Sequence, residues 1–190
     1  MSQVRAMGSS TGAVSVAAFE RGGSRYDHCE LWDGAVVVRE APGTYHGGVA
    51  QRILARLWTH VETSHAPGRV VASDTGFAVS RRPPRVLAPD GAYVSFLRLP
   101  TLPVGFAPCA PEFLIEVRSP RDSLEHQHQK AGLWIAHGAE VVWVVDPDTK
   151  TITVHRALEA PVIVRGDERA DARPALPGFS MPASDAFAGL

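Results

Sequence analysis

Two short runs constrain this chain most: Phe113 to Val117, and Glu140 to Asp146, which reads EVVWVVD. Both are nearly continuous in apolar residues rather than alternating, the pattern of strands covered on both faces. Ser119-Pro120 ends the first run sharply. A helix is then predicted from Arg121 or Asp122 to His137-Gly138, with Asp122 or Ser123 as its cap. Parallel neighbours need a long crossover and antiparallel ones need only a turn, so two buried strands joined by a helix imply a right-handed parallel crossover.

The remaining chain supplies antiparallel partners. Residues 26–40 give a short lead element, a turn at Asp33-Gly34 and a strand through Ala35 to Glu40. From Gly48 to about His65, Val49, Ile53, Leu54, Leu57, Trp58 and Val61 recur at three- and four-residue steps, which predicts an amphipathic helix stopped by Pro67-Gly68. Arg69–Ser73 and Gly76–Ser80 fit a hairpin or one bent strand. Val86–Ser95 reads as a strand interrupted at Pro89-Asp90-Gly91, because proline removes a ladder donor. Arg98–Pro111 is a proline-rich loop, and Thr151–Arg156 with Pro161–Arg165 forms a closing hairpin. The fold class is thus α/β (α+β): a mixed sheet with helices packed on it. A length of 190 residues suits one domain, taken as 21–190, behind a flexible lead-in at 1–20.

Within the first buried strand stands a carboxylate, Glu116. A charge among core residues is costly unless a cation, a metal or good hydrogen bonds compensate it. Asp90, at the Pro-Asp-Gly break, is the second acid that a sheet could bring to the same point. Two converging carboxylates repel one another, and a divalent cation between them relieves that repulsion; oxygen donors of this kind suit magnesium or manganese. An open strand edge would add the Val117 carbonyl as a third ligand. Lys130 borders the core stripe of Leu124, Ala131 and Ile135, where its ammonium could reach over the sheet toward Glu116. A lysine there could position or deprotonate an attacking water and offset charge on a phosphate.

The series ELWDG, a Tyr-His ahead of a helix, APDGAYVS, EFLIEVRSP, QKAGLWIAHGAEVVWVVDP, TITVHR and LPGFSM resembles the Uma-type restriction endonuclease family of the PD-(D/E)XK nuclease superfamily. The resemblance runs from Tyr26 to Phe187. It implies a restriction endonuclease-like fold with core order α-β-β-β-α-β, an extra N-terminal strand and a C-terminal hairpin. It further implies a magnesium- or manganese-dependent endonuclease acting on DNA as a homodimer. By the same likeness, Asp90 is the acid of the PD motif, Glu116 the second acid, and Lys130 a lysine that has moved from the strand to the next helix. Glu30 and His46 fall at positions that the family tends to keep polar, and are auxiliary candidates. The superfamily's usual strand lysine is replaced by Arg118, which stays protonated at any working pH and suits phosphate binding rather than general-base work. That replacement, with the near-neutral charge, leaves open a second reading: a nuclease-fold binding or assembly module without catalysis.

Other features carry less. A net charge of −1 excludes nucleic-acid binding by bulk charge, so any such contact must be local. The three arginines of Arg81–Arg85 are the densest positive patch, though a solvated loop is the commoner outcome for such a run. Cys29 and Cys109 are far apart in no CxxC arrangement, which argues against a disulfide framework or thiolate metal site and fits a cytoplasmic location. Nothing approaches a membrane span or a secretory leader. His126 and His128, two residues apart, face different directions on a helix and are read as surface or rim groups. Trp58, Trp134 and Trp143 are assigned to the core, and Ser119 has no triad-like context.

Overall fold

In the computed structural model, which describes residues 12–39 and 41–190, the long middle of the chain forms a six-stranded sheet. Its strands are β3 (Gly68–Ala72), β6 (Gly91–Ser95), β7 (Phe113–Val117), β8 (Val141–Asp146), β9 (Thr151–Arg156) and β10 (Val162–Arg165). Their spatial order is β10-β9-β8-β7-β6-β3. β7 and β8 pair in parallel, with Phe113 opposite Val141 and Val117 opposite Val145, and the other ladders are antiparallel. The helix between the parallel strands is α3 (Leu124–Ala136), capped by Ser123, whose Oγ accepts from the His126 amide. The two apolar runs are therefore parallel neighbours joined by a helical crossover, as their pattern implied.

The helix α2 (Thr44–Ser64) begins four residues earlier than its apolar periodicity suggests, which draws His46 into its first turn. It ends at His65, a left-handed C-cap with φ of 53°. Val49, Ala50, Ile53, Leu57 and Val61 form its buried stripe and pack on Phe113, Ile115 and Val117 of β7. On the opposite side of the sheet, Leu114 packs with Ala131 and Trp134 of α3 and with Phe77. Fully burying a side chain of this size contributes about 1.5–3 kcal/mol, so the two clusters fix both helices on the sheet. Trp134 and Trp143 are fully buried as expected, but Trp58 is 58% exposed. It lies next to Leu57 in sequence, one position off the stripe, and its large apolar surface made it look like core.

Three expectations are corrected by a second sheet. A hairpin, β1 (Cys29–Trp32) and β2 (Ala35–Val38), joins β4 (Phe77–Arg81) and β5 (Pro84–Leu87) in a four-stranded sheet of order β2-β1-β5-β4. So β3 and β4 are not a hairpin: β3 pairs with β6, and β4 with β5. Likewise Val86–Ser95 is two strands in two sheets, and Pro89-Asp90 is the point where the chain crosses between them. The N-terminal addition is a hairpin rather than one strand. A short two-stranded sheet, β11 (Arg169–Asp171) with β12 (Ser180–Pro182), closes the C-terminal region after the expected β9–β10 hairpin.

Of the 1–20 lead-in, residues 1–11 lie outside the described residues. Within the rest, Ser15 caps a short helix α1 (Val16–Arg21), and Phe19 buries its ring against Tyr26 and Phe106. Among the described residues, no helix is long and apolar enough to cross a membrane.

Candidate active site at the C-terminal end of strand β7

β7 alternates its side chains between the two sheet faces. Phe113, Ile115 and Val117 take the α2 side, and Leu114 and Glu116 take the α3 side. Glu116, 2% exposed, meets two donors from α3: Lys130 Nζ lies 2.9 Å away and Trp134 Nε1 donates at 2.7 Å. Lys130 is itself 5% exposed. It also contacts Glu30 Oε1 of β1 at 2.8 Å and donates to the Ala88 carbonyl at 3.3 Å. Glu30 is held further by the Ala88 amide and by Trp32 Nε1, each at 2.9 Å. One ammonium thus joins acids from both sheets.

Asp90 arrives from the inter-sheet crossing. Its own amide donates to the Ile115 carbonyl at 3.0 Å, and its Oδ2 accepts from the Val117 amide at 2.7 Å. These two bonds lock it beside β7. His46 completes the arrangement from α2: its Nε2 is 2.8 Å from the Val117 carbonyl and 3.3 Å from Asp90 Oδ2. Both neighbours are acceptors, so Nε2 carries a proton, while the buried Nδ1 has no hydrogen-bond partner among the described residues. On its other oxygen, Asp90 meets Arg39, which follows β2, at 3.4 Å.

The charges oppose and tune one another. Burial pushes the Glu116 carboxyl up, Lys130 pulls it back, and the adjacent Asp90 and Glu30 charges raise it again, so that it stands at about 7. Burial also disfavours charge on Asp90, but hydrogen bonding and attraction from His46, the Arg39 charge and the Val117 amide hold it below the ordinary carboxylate range. Glu30 is likewise lowered, burial being outweighed by Lys130 and Arg39. Lys130 is raised despite burial, because Glu116 and Glu30 favour its ammonium form. His46 is raised by Asp90 and the Val117 carbonyl against the effect of burial. The cluster therefore contains one acid whose charge is disfavoured, among groups shifted toward their charged forms.

Asp90, Glu116, Lys130, Glu30, His46 and the backbone of Val117 come together here, whereas Arg118 does not join them. Its guanidinium turns to Asp146 at 2.7 Å, to Asp148 and to the Asp122 carbonyl, tying the ends of β7 and β8 to the loop before α3. The predicted face of α3 is also corrected. Leu124 is exposed, Ile135 is half-buried, and Gln127, Lys130, Ala131 and Trp134 are buried, so Lys130 stands in the middle of the packed face rather than at its border. Arg39 was missed by sequence reasoning. Its signal was a charge closing the apolar run AVVV.

Among the described residues, no three His, Cys, Asp or Glu side chains are grouped so as to hold a metal ion. The oxygen donors at hand are the Asp90 and Glu116 carboxylates and the Val117 carbonyl. Two carboxylates with one carbonyl are a hard donor set, and magnesium commonly takes only one or two carboxylates and keeps its waters. The residues present fit such an ion.

A family profile described as "Uma2: Putative restriction endonuclease" matches residues 18–184. Among solved structures, the chain is similar to one described as a "putative nuclease belonging to DUF820" from Anabaena variabilis ATCC 29413. That likeness has a TM-score of 0.73 at 18% identity, over 84% of this chain and 89% of the other. A DrdV–DNA complex determined by cryo-electron microscopy aligns at a TM-score of 0.30 and 14% identity, over 62% of this chain and 85% of that one. No curated protein matches the chain.

Proposed function

This chain belongs to the Uma2 restriction endonuclease family, and we propose that it is a metal-dependent endonuclease of the PD-(D/E)XK type that hydrolyses phosphodiester bonds in DNA. The observation that supports this most is the meeting of Asp90, Glu116 and Lys130, from a sheet crossing, a strand and a helix, around the C-terminal end of β7. Asp90, Glu116 and the Val117 carbonyl would hold magnesium or manganese. When bound, such an ion polarises the phosphoryl oxygen and lowers the pKa of a water.

The chain's own residues divide the remaining work. Lys130, kept protonated by two acids, offsets charge developing on the phosphate and orients the attacking water rather than deprotonating it. Glu116, whose charge burial disfavours while no ion is bound, is the ligand whose ionised form a divalent cation would stabilise. His46 Nε2 steadies Asp90 and the Val117 carbonyl from one side, and Glu30 steadies Lys130 from the other. Arg118 acts outside the chemistry, through its ion pairs. A homodimer follows from the family resemblance and from the two-fold symmetry of a duplex cut on both strands.

The test is incubation of purified protein with plasmid DNA and magnesium or manganese, beside an Asp90→Ala control. The expected outcome is nicking or linearisation that falls by on the order of 100-fold or more in the variant, the usual scale for losing a principal electrostatic group. Cleavage unaffected by Asp90→Ala would remove the mechanism.

A further inference from the structure

The acids of the cluster are served by two cations held in contrasting ways. Lys130 is enclosed, with 6% of its side chain exposed, and contacts Glu30 and Glu116 at 2.8 and 2.9 Å. Arg39 has 24% of its side chain exposed and meets Asp90 Oδ1 at 3.4 Å through Nη2. Its other terminal nitrogen, Nη1, meets Asp74 Oδ1 at 3.3 Å. Charge-assisted contacts of this kind close to about 2.7–2.9 Å when well made, so Lys130 is seated and Arg39 is shared.

The two ion-pair partners of Arg39 differ in burial. Asp90 is buried, with 4% of its side chain exposed, while Asp74 is 58% exposed and lies between β3 and β4. Arg39 follows β2, the outer strand of the four-stranded sheet, and its backbone is tied by the bond from its amide to the His28 carbonyl at 2.7 Å. From this fixed backbone the guanidinium spans a buried and an exposed carboxylate. Asp90 Oδ1, the oxygen that Arg39 occupies, is also the one turned away from the Val117 amide and His46.

Building on the proposed role of Asp90 as a metal ligand, we infer that Arg39 is a displaceable counter-ion. It neutralises Asp90 while no divalent cation is bound, and withdraws to Asp74 when one arrives. The entering ion competes with a permanent positive charge for the same carboxylate oxygen. Removing the guanidinium relieves that competition, so metal affinity rises. A residue whose role was only to support the fold would leave affinity unchanged or weaken it. Removing Asp74 has the opposite effect, because Arg39 then keeps Asp90 as its one strong partner of these two.

The experiment is calorimetric titration of the full chain with manganese alone, using wild type, Arg39→Met, Asp74→Asn and Asp90→Asn. Arg39→Met should bind manganese about tenfold more tightly, equivalent to about 1.4 kcal/mol. Asp74→Asn should bind a few-fold more weakly. Asp90→Asn should lose binding. If Arg39→Met binds with wild-type affinity or less while Asp90→Asn loses binding, Asp90 is a ligand and the counter-ion role of Arg39 is wrong. If Asp90→Asn binds as wild type does, the ligand assignment fails and the inference falls with it. Should Arg39→Met not fold, the exposed Asp74 position decides: unchanged or tighter binding in Asp74→Asn overturns the inference, and weaker binding supports it.

Discussion

Two acids stand near the ends of strand β7, Glu112 just before it and Glu116 within it, and they are treated in contrasting ways. Glu112, just before the strand, accepts from the Ser95 amide and hydroxyl and pairs with Arg98 Nε at 3.2 Å. Arg98 in turn binds the Ala110 and Gly138 carbonyls and Glu140. Glu112 is therefore a brace that ties the loop after β6 and the turn after α3 to the start of β7. Glu116, at the far end, also has good donors, yet shares its surroundings with Asp90 and Glu30. Burial among donors alone makes a structural acid. Burial beside further acids makes a group whose charge is costly, which marks a candidate functional site.

The contrast is broken most severely by removing the cation. Lys130→Met keeps most of the stem's volume but leaves Glu116 and Glu30 buried without their shared ammonium. The loss expected for breaking a buried pair is about 3–5 kcal/mol. Denaturant unfolding at neutral pH checks it, and a variant as stable as wild type would mean that the acids are neutral or solvated. Glu112→Gln should cost less, about 1–3 kcal/mol, the scale of a lost charged hydrogen-bond partner. This variant should melt earlier than wild type yet keep the proposed cleavage of DNA.

A smaller and more gradual effect comes from pH. In metal-free buffer the Glu116 carboxyl stands at about 7 in the fold, while ordinary glutamates titrate near 4.3. Between these values the folded chain binds the additional proton. Stability from this group is thus present at the acid end of the window and lost as pH rises through about 7. His46, also raised, acts in the same direction. Asp90 and Glu30 are lowered, so their contribution is lost only as pH falls below the ordinary carboxylate range. Stability in chelator should fall as pH rises from about 4.3 to about 7, with a slope of at most about 1.4 kcal/mol per unit from Glu116. Glu116→Gln should flatten that slope, and an unchanged slope would place the titration elsewhere.

Much of the frame around this strand was legible in the sequence, because continuous apolar runs and a capped helix leave little choice of topology. Glu116 and Asp90 stood out for the same reason, as acids where an apolar residue or a plain turn would suffice. What stayed hidden depends on contacts that no local pattern records. Pro89-Asp90 reads as a strand interruption, and that it carries the chain from one sheet to another follows from pairing partners distant in sequence. The buried face of α3 was misjudged because Leu124, Ala131 and Ile135 form the apolar stripe by periodicity, whereas carboxylates on the sheet draw Lys130 inward and Gln127 donates to Asp122 in the loop before the helix. Trp58 misled in the opposite sense: it is large and apolar, but it lies on the exposed side of α2. Arg39 escaped notice because its partners, Asp74 and Asp90, lie in two later loops.

The central claim is that the two ends of β7 differ in kind, with chemistry at Glu116 and bracing at Glu112. Its most direct test is magnesium-dependent plasmid cleavage by Glu116→Gln and Glu112→Gln measured side by side, at a temperature where both remain folded. The account predicts a loss on the order of 100-fold or more for Glu116→Gln and near wild-type cleavage for Glu112→Gln. Equal cleavage by the two variants, whether both active or both inactive, would contradict it.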